Sequence, residues 1–217
     1  MGKTRKIDWL NHGLEFAVVV VGILIAFQLN TCREDSKEKA LVNQHKSNVM
    51  DEVKFNLYNI ENAITDLENT EKSIDTLLQT ISAGKDTLGM NNLSMQILNI
   101  RGAYIKRNAY TSFVESGDIR LEENFDFRDR LISLYEYYNW ADGYRDAANE
   151  FFFDTAFPYM IDNFDMVTMQ PQGRDTYDSR KYMNALSSYK YQLIAMTLKY
   201  KEVKELNQKF IESFDTP

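Results

Sequence analysis

The residues able to do chemistry in this chain are few. It has two histidines, His12 and His45, and a single cysteine, Cys32. A di-iron centre in a helical bundle takes Glu and Glu-x-x-His from facing helices. No Glu stands three residues before His45, and His12 belongs to an apolar segment. A ferritin-like site is thereby excluded, and zinc sites of the His or Cys type lack ligands. A nucleophile–base pair would have to be Cys32 with His45, without a third group to orient them. No G-x-S-x-G, phosphate loop or dinucleotide glycine fingerprint is present. Carboxylates are plentiful, but a sugar-cleaving pair needs a cleft around it. The expectation is a protein that is not an enzyme and takes no cofactor and no metal.

One carboxylate stands in unusual company. Glu15 directly precedes an unbroken apolar run, residues 16–27. A spanning helix needs about 20 residues. Extending the run to residues 9–29 reaches that length and takes in Asn11, His12, Glu15 and Gln28. At about 100° per residue, Gly22 and Ala26 lie about 20° to either side of Glu15, and Asn11 about 40° away. Asn11, Glu15, Gly22 and Ala26 thus form one polar-and-small stripe on a bulky helix. Gly22 and Ala26 are a small-xxx-small pair, which lets a second backbone come close. A carboxylate at mid-bilayer costs roughly 2.5–3.5 kcal/mol, less near the edge. The stripe is therefore expected to be a helix–helix interface in the membrane. The alternative is that Glu15 marks the membrane edge.

A short apolar run also fits a signal peptide, and residues 29–32 faintly resemble a lipoprotein cleavage site ending in Cys32. Asn30 and Thr31 are poor where small residues are wanted, and the valines suit a retained span. A permanent anchor is the expectation.

Residues 13–30, GLEFAVVVVGILIAFQLN, resemble the N-terminal signature of an uncharacterised family of one-span proteins. That family occurs in bacteria with a two-membrane envelope. Glu15, Gly22, Ile23, Ile25, Ala26, Gln28, Leu29 and Asn30 match its pattern. Leu14 separates Gly13 from Glu15, and Cys32 stands where the family has Asn or Trp. The second departure weakens the lipoprotein reading, because the family does not depend on a Cys there. The likeness extends more loosely over residues 116–138. It implies a membrane-anchored helical protein of the inner membrane and no particular activity.

Composition sets the class of the remaining chain. Only 3 Pro and 9 Gly in 217 residues argue for long helices over a turn-rich β fold. The net charge of −7 includes a basic tail of Lys3, Arg5 and Lys6, so the remainder is more acidic still. An acidic domain without a basic stripe is a poor nucleic-acid binder, and no nucleic-acid partner is expected. With one cysteine there is no internal disulfide, which suits either side of a membrane.

Past the span, residues 33–39 form a charged collar. Apolar positions then recur every three or four residues at Val42, Val49, Val53, Leu57, Ile60, Ile64, Leu67, Ile74, Leu78 and Ile81. This is an amphipathic helix that continues the membrane helix with little break. Its spacing approaches heptads, but Lys46 and Glu71 interrupt the stripe, so a bundle helix is expected, with a free-standing coiled coil as the alternative. A turn is expected over residues 84–92, a short helix through Ile100 ended by Gly102, and another over residues 108–115. Ser116, Gly117 and Asp118 make a stop, with Gly117 left-handed and Asp118 or Asn124 starting the next element. A long helix over residues 127–153 buries Leu131, Leu134, Tyr138, Ala141, Ala148 and Phe152. The triplet Phe151–Phe153 suggests a central position, and Pro158 ends the helix. Residues 162–176 read as loop. The last helix, residues 179–214, has the cleanest repeat, through Tyr182, Leu186, Tyr189, Leu193, Met196, Tyr200, Val203, Phe210 and Phe214. Tyr135, Tyr138, Tyr182, Tyr189 and Tyr200 are expected to put rings inside and hydroxyls at the bundle edge.

The fold expected is all-α: one N-terminal transmembrane helix (residues 1–32 with its tail), then an antiparallel bundle of three long and a few short helices (residues 33–217). The functional expectation is a membrane-anchored structural or interaction protein. Its partners are the lipid bilayer and a second copy or another membrane protein. The alternative is a subunit of a signal- or energy-transducing complex, with Glu15 in the span. Biopolymer-transport subunits are similar in plan, but they carry Asp within the apolar run and a mixed α/β domain. Arg33, Lys37 and Lys39 follow the span as Lys3, Arg5 and Lys6 precede it, so the positive-inside count does not decide orientation. A very short basic tail before an uncleaved run acts as a signal anchor. That places the N-terminus in the cytoplasm and the domain in the periplasm.

Overall fold

The computed structural model describes residues 9–84, 87–97, 102–168, 170–173 and 175–215, apart from the side chains of residues 9–12, 87, 88 and 178. The tail cations Lys3, Arg5 and Lys6, and the end of the helix expected at Ile100, lie outside the described residues. The fold is all-α as expected, with 88% helix.

Neither Gly nor Pro interrupts residues 23–83, so nothing breaks the first helix. It runs unbroken as α1, Trp9–Ser82, 74 residues and about 110 Å long at 1.5 Å per residue. Its two parts differ in surroundings. Every side chain from 13 to 41 is exposed, and Val42 is the first buried one. From there Val49, Val53, Ile60, Leu67 and Ile74 are fully buried.

After α1 come α2 (Thr87–Ile97), an extended strap over residues 102–107, and α3 (Asn108–Glu115). A 3-10 turn, Asp118–Leu121, leads to α4 (Phe125–Phe151). Gly117 before that turn has φ +83°, the left-handed value expected of it. The side chain of Asn124 accepts from the Phe127 N–H at 3.1 Å and so caps α4. Gly102 opens the strap where space is short, since a Cβ there would stand 2.9 Å from Cδ of Arg145.

The chain departs from expectation at four places. The turn after α1 is shorter, because helix resumes at Thr87, and Asn91, taken as turn, is buried within α2. Pro158 does not end the helix. A π turn, Phe152–Ala156, follows α4 and puts Pro158 in the first turn of α5 (Phe157–Asn163). The backbone stays helical through the π turn into α5, so the proline lies within the helical path rather than at its end, and the widened turn before it is where the helix accommodates the ring. The loop expected over residues 162–176 contains a small antiparallel ladder, β1 (Phe164–Asp165) with β2 (Gln170–Pro171), and a one-turn α6 (Asp175–Asp178). Of the three phenylalanines only Phe152 is central, and Phe153 is 48% exposed.

α7 (Arg180–Phe214) closes the body. Four ion pairs set it antiparallel to α1: Lys54–Asp215, Glu61–Lys204, Glu68–Lys201 and Asp75–Lys190. Ion pairs this open to solvent report register more than stability. The stabilising contacts are apolar. α4 packs antiparallel on α7 through Phe127 against Phe210 and Phe152 against Tyr189, ring centroids 5.4 and 5.2 Å apart. Burying such side chains is worth about 1.5–3 kcal/mol each.

Candidate functional site

The stripe residues lie on the stretch of α1 whose described side chains, from 13 to 41, are all exposed. Glu15, Gly22 and Ala26 are exposed, and the side chain of Asn11 is outside the described residues. Among the described residues one helix is long and apolar enough to cross a membrane. Its most apolar stretch has mean hydropathy 2.0, and none of that stretch is buried. Nothing inside the chain requires residue 22 to lack a side chain, since a Cβ on Gly22 meets no atom within 4 Å.

The phase of the stripe follows from the unbroken helix. Val49 and Leu67 are 27 and 45 positions after Gly22, which at about 100° per residue puts both about 180° away. Both have 0% exposure, against the rest of the body. The same count puts the buried Val53 about 220° and the buried Leu77 about 100° from Gly22, so the body lies broadly opposite the stripe and drifts round α1 along its length.

Cys32 and His45 do not come together. Both are on α1, 13 positions apart, or about 20 Å along a rigid axis. His45 turns inward instead. Its ring stacks on Phe113 at 4.9 Å, and Nε2 lies 3.1 Å from Oδ2 of Asp118. The two interruptions of the α1 stripe are also paired. Lys46 sits 2.9 Å from Glu122 and over the Phe127 ring. Glu71 accepts from the Thr197 hydroxyl at 2.7 Å.

The polar centre of the body is one that the apolar repeat did not announce. Glu52, 6% exposed, accepts from the backbone N–H groups of Ala109 and Tyr110 at 2.9 and 3.2 Å. It thereby satisfies two open donors in the first turn of α3, which has no side-chain cap of its own. It also accepts from the Tyr135 hydroxyl at 2.5 Å. One turn on, Asn56 both donates to the Lys106 carbonyl and accepts from its N–H, at 2.9 and 2.8 Å. Tyr200 accepts from the Ala103 N–H at 3.0 Å, and Arg107 pairs with Asp142. Tyr138 donates to Asn207 at 2.5 Å. The strap has no ladder partner, and side chains satisfy its backbone in place of one.

The tyrosine hydroxyls are thus inside rather than at the edge. Tyr182 donates to Ser94 at 2.9 Å, and Tyr159 to the Thr176 carbonyl at 2.7 Å. Burial, then the Glu52 carboxylate, holds the Tyr135 phenol far above its usual range. Burial also raises Tyr138, Tyr182 and Tyr200, and pushes Tyr177 up to about 12.

Chemically, the Glu52 cluster is a set of satisfied, buried groups, which fixes one packing of four segments. A hollow between α4 and α7, lined by Arg130, Ser133, Leu134, Leu206, Lys209 and Phe210, holds about 240 Å³. One signal for the cluster was present in the sequence. Glu52 and Asn56 are polar residues set among Val49, Val53 and Ile60, on the stripe that should be apolar.

Compared with known proteins, the chain matches no family model, no curated protein and no solved structure.

Proposed function

We propose that this chain is a single-pass membrane protein with a structural or interaction role. The first part of α1 crosses a bacterial inner membrane, with the N-terminus in the cytoplasm and the helical body in the periplasm. The stripe of Asn11, Glu15, Gly22 and Ala26 joins it to a second copy or to another membrane protein. The resemblance of residues 13–30 to the one-span envelope family supports the location.

One observation carries the reading. Leu14, Phe16, Ile23, Leu24, Phe27 and Leu29 are each more than 60% exposed on a single helix. So large an apolar surface is not left in water, and among the described residues nothing covers it. A bilayer supplies the cover. Gly22 has no side chain to hold a partner helix off, so a second backbone can approach closely there. The transducing-subunit alternative fits less well, because the body is all-helical where such subunits are mixed α/β.

Native mass measurement in mild detergent tests assembly, on wild type, Glu15→Gln, Gly22→Leu and Val20→Leu. Gly22→Leu is expected to disrupt the assembly, and Val20→Leu, on another face, to leave it intact. A monomer in every sample ends the self-association reading. A reporter fused after Pro217 tests orientation, and activity only in a cytoplasm-dependent reporter reverses it.

A further inference from the structure

We infer that the outer face of α1 beyond the membrane, from Phe55 to Thr76, is a second contact surface for another copy of this chain. The two copies would be held in parallel, with their helical bodies turned away from each other. The inference rests on the reading that residues 13–30 sit in a bilayer. Two copies in one membrane then insert in the same direction and at the same height.

The structure supplies the facing. α1 is unbroken from Trp9 to Ser82, so the two ends of the helix share one phase. Tyr58 and Thr76 are 36 and 54 positions after Gly22, about ten and fifteen whole turns, and so lie on the stripe's side of the helix. Both are exposed there, opposite the buried Val49 and Leu67. Helices that approach through Gly22 and Ala26 turn these outer faces toward each other and carry their bodies outward.

The residues on that face fit a second copy in particular. Phe55, Tyr58, Asn62, Thr65, Asn69, Lys72 and Thr76 are all exposed and recur every three or four positions, the spacing of a two-stranded seam. In a parallel pair each residue meets its own counterpart, so a charge repels itself. Only Lys72 of these seven is charged. The Tyr58, Asn62 and Asn69 side chains each donate and accept, so each can hydrogen-bond to its own copy, while the Thr65 and Thr76 hydroxyls donate to the Glu61 and Lys72 carbonyls of their own helix at 3.1 and 2.8 Å. Buried Asn in such a seam also fixes register. Aromatic weight is concentrated at the lower end. Tyr58 and Tyr104 are 64% and 66% exposed, and the Tyr104 ring stands edge-on to Phe55 at 6.3 Å. Tyrosine is enriched where interfaces are strong. Elsewhere α1 is flanked by charge, through Glu61, Glu68 and Asp75, each engaged by α7.

The test is thiol cross-linking of the full chain in native membranes, with Cys32→Ser as the background. Single cysteines are placed at Thr65→Cys and Thr76→Cys on the outer face, Ala26→Cys on the membrane stripe, and Asn139→Cys on the exposed side of α4. The expected result is a shift to dimer mass at residues 26, 65 and 76 and none at 139. Dimer at residue 26 alone overturns this inference and leaves membrane pairing standing. Dimer at 65 and 76 without 26 keeps the outer face as interface and removes the stripe. No dimer anywhere overturns both, and equal dimer at 139 shows random collision and overturns the outer-face pairing.

Discussion

The hydroxyl of Tyr135 on α4 donates to the carboxylate of Glu52 on α1 across 2.5 Å, joining residues 83 positions apart. The same carboxylate holds the first turn of α3. Removing it leaves the buried Tyr135 hydroxyl and two half-buried backbone donors without an acceptor, and an unsatisfied buried donor costs about 1–3 kcal/mol. Glu52→Ala is therefore expected to destabilise by about 2 kcal/mol or more. Tyr135→Phe removes one bond to a charged group and should cost about 1.5–3 kcal/mol. Urea unfolding of the full chain in detergent measures both. In the double variant the costs should fall short of their sum, because the two residues share one bond. Strict additivity would show that the contact is energetically idle.

Alkali is the second lever. Tyr110, Tyr135, Tyr138, Tyr177, Tyr182 and Tyr200 are all raised, with burial the leading cause. An unfolded phenol ionises near pH 10, roughly its ordinary value. Above that pH the unfolded chain has lost protons that the folded chain still holds. The stabilising effect is thus complete below about pH 10 and falls as pH rises toward the folded values. The phenolate absorbance of these six should appear together with loss of helix by circular dichroism. Full phenolate absorbance with the helix signal intact would contradict the buried placement.

Two glycines should respond in opposite directions. Gly117 has φ +83° with open space around it, so Gly117→Val is strained in the backbone alone. The expected cost is more than about 1 kcal/mol. Gly143, inside α4, also has open space but no positive φ. Gly143→Ala should stabilise by about 0.5–1 kcal/mol. Thermal unfolding reads both, and equal effects at the two positions would contradict the placement of Gly117 in a left-handed turn and Gly143 within α4.

The parts legible in the sequence were those governed by period and by caps. The apolar positions of α4 and α7 recur at helical spacing, and Leu131, Leu134, Tyr138, Leu186, Leu193 and Val203 are buried as that spacing requires. Gly117 and Asn124 were legible because their chemistry is local. The Glu52 centre was not, since its partners come from α3, the strap and α4, and no spacing rule links positions 52, 109 and 135. Pro158 misled for a related reason. Whether a proline stops a helix depends on the turn before it, and the π turn at Phe152–Ala156 has no simple sequence mark. The stripe at Glu15, Gly22 and Ala26 was legible as a pattern, and the fold adds its direction, away from the body.

Membrane residence is the claim on which the rest stands. Native membranes containing the full chain are washed with high salt and then with alkaline carbonate, and the pellet and supernatant are compared by immunoblot. The account predicts that the chain stays in the pellet through both washes, because residues 13–30 lie within the hydrocarbon and neither wash removes a spanning helix. Recovery of the chain in the carbonate supernatant would contradict it, and with it the pairing of α1 in the bilayer.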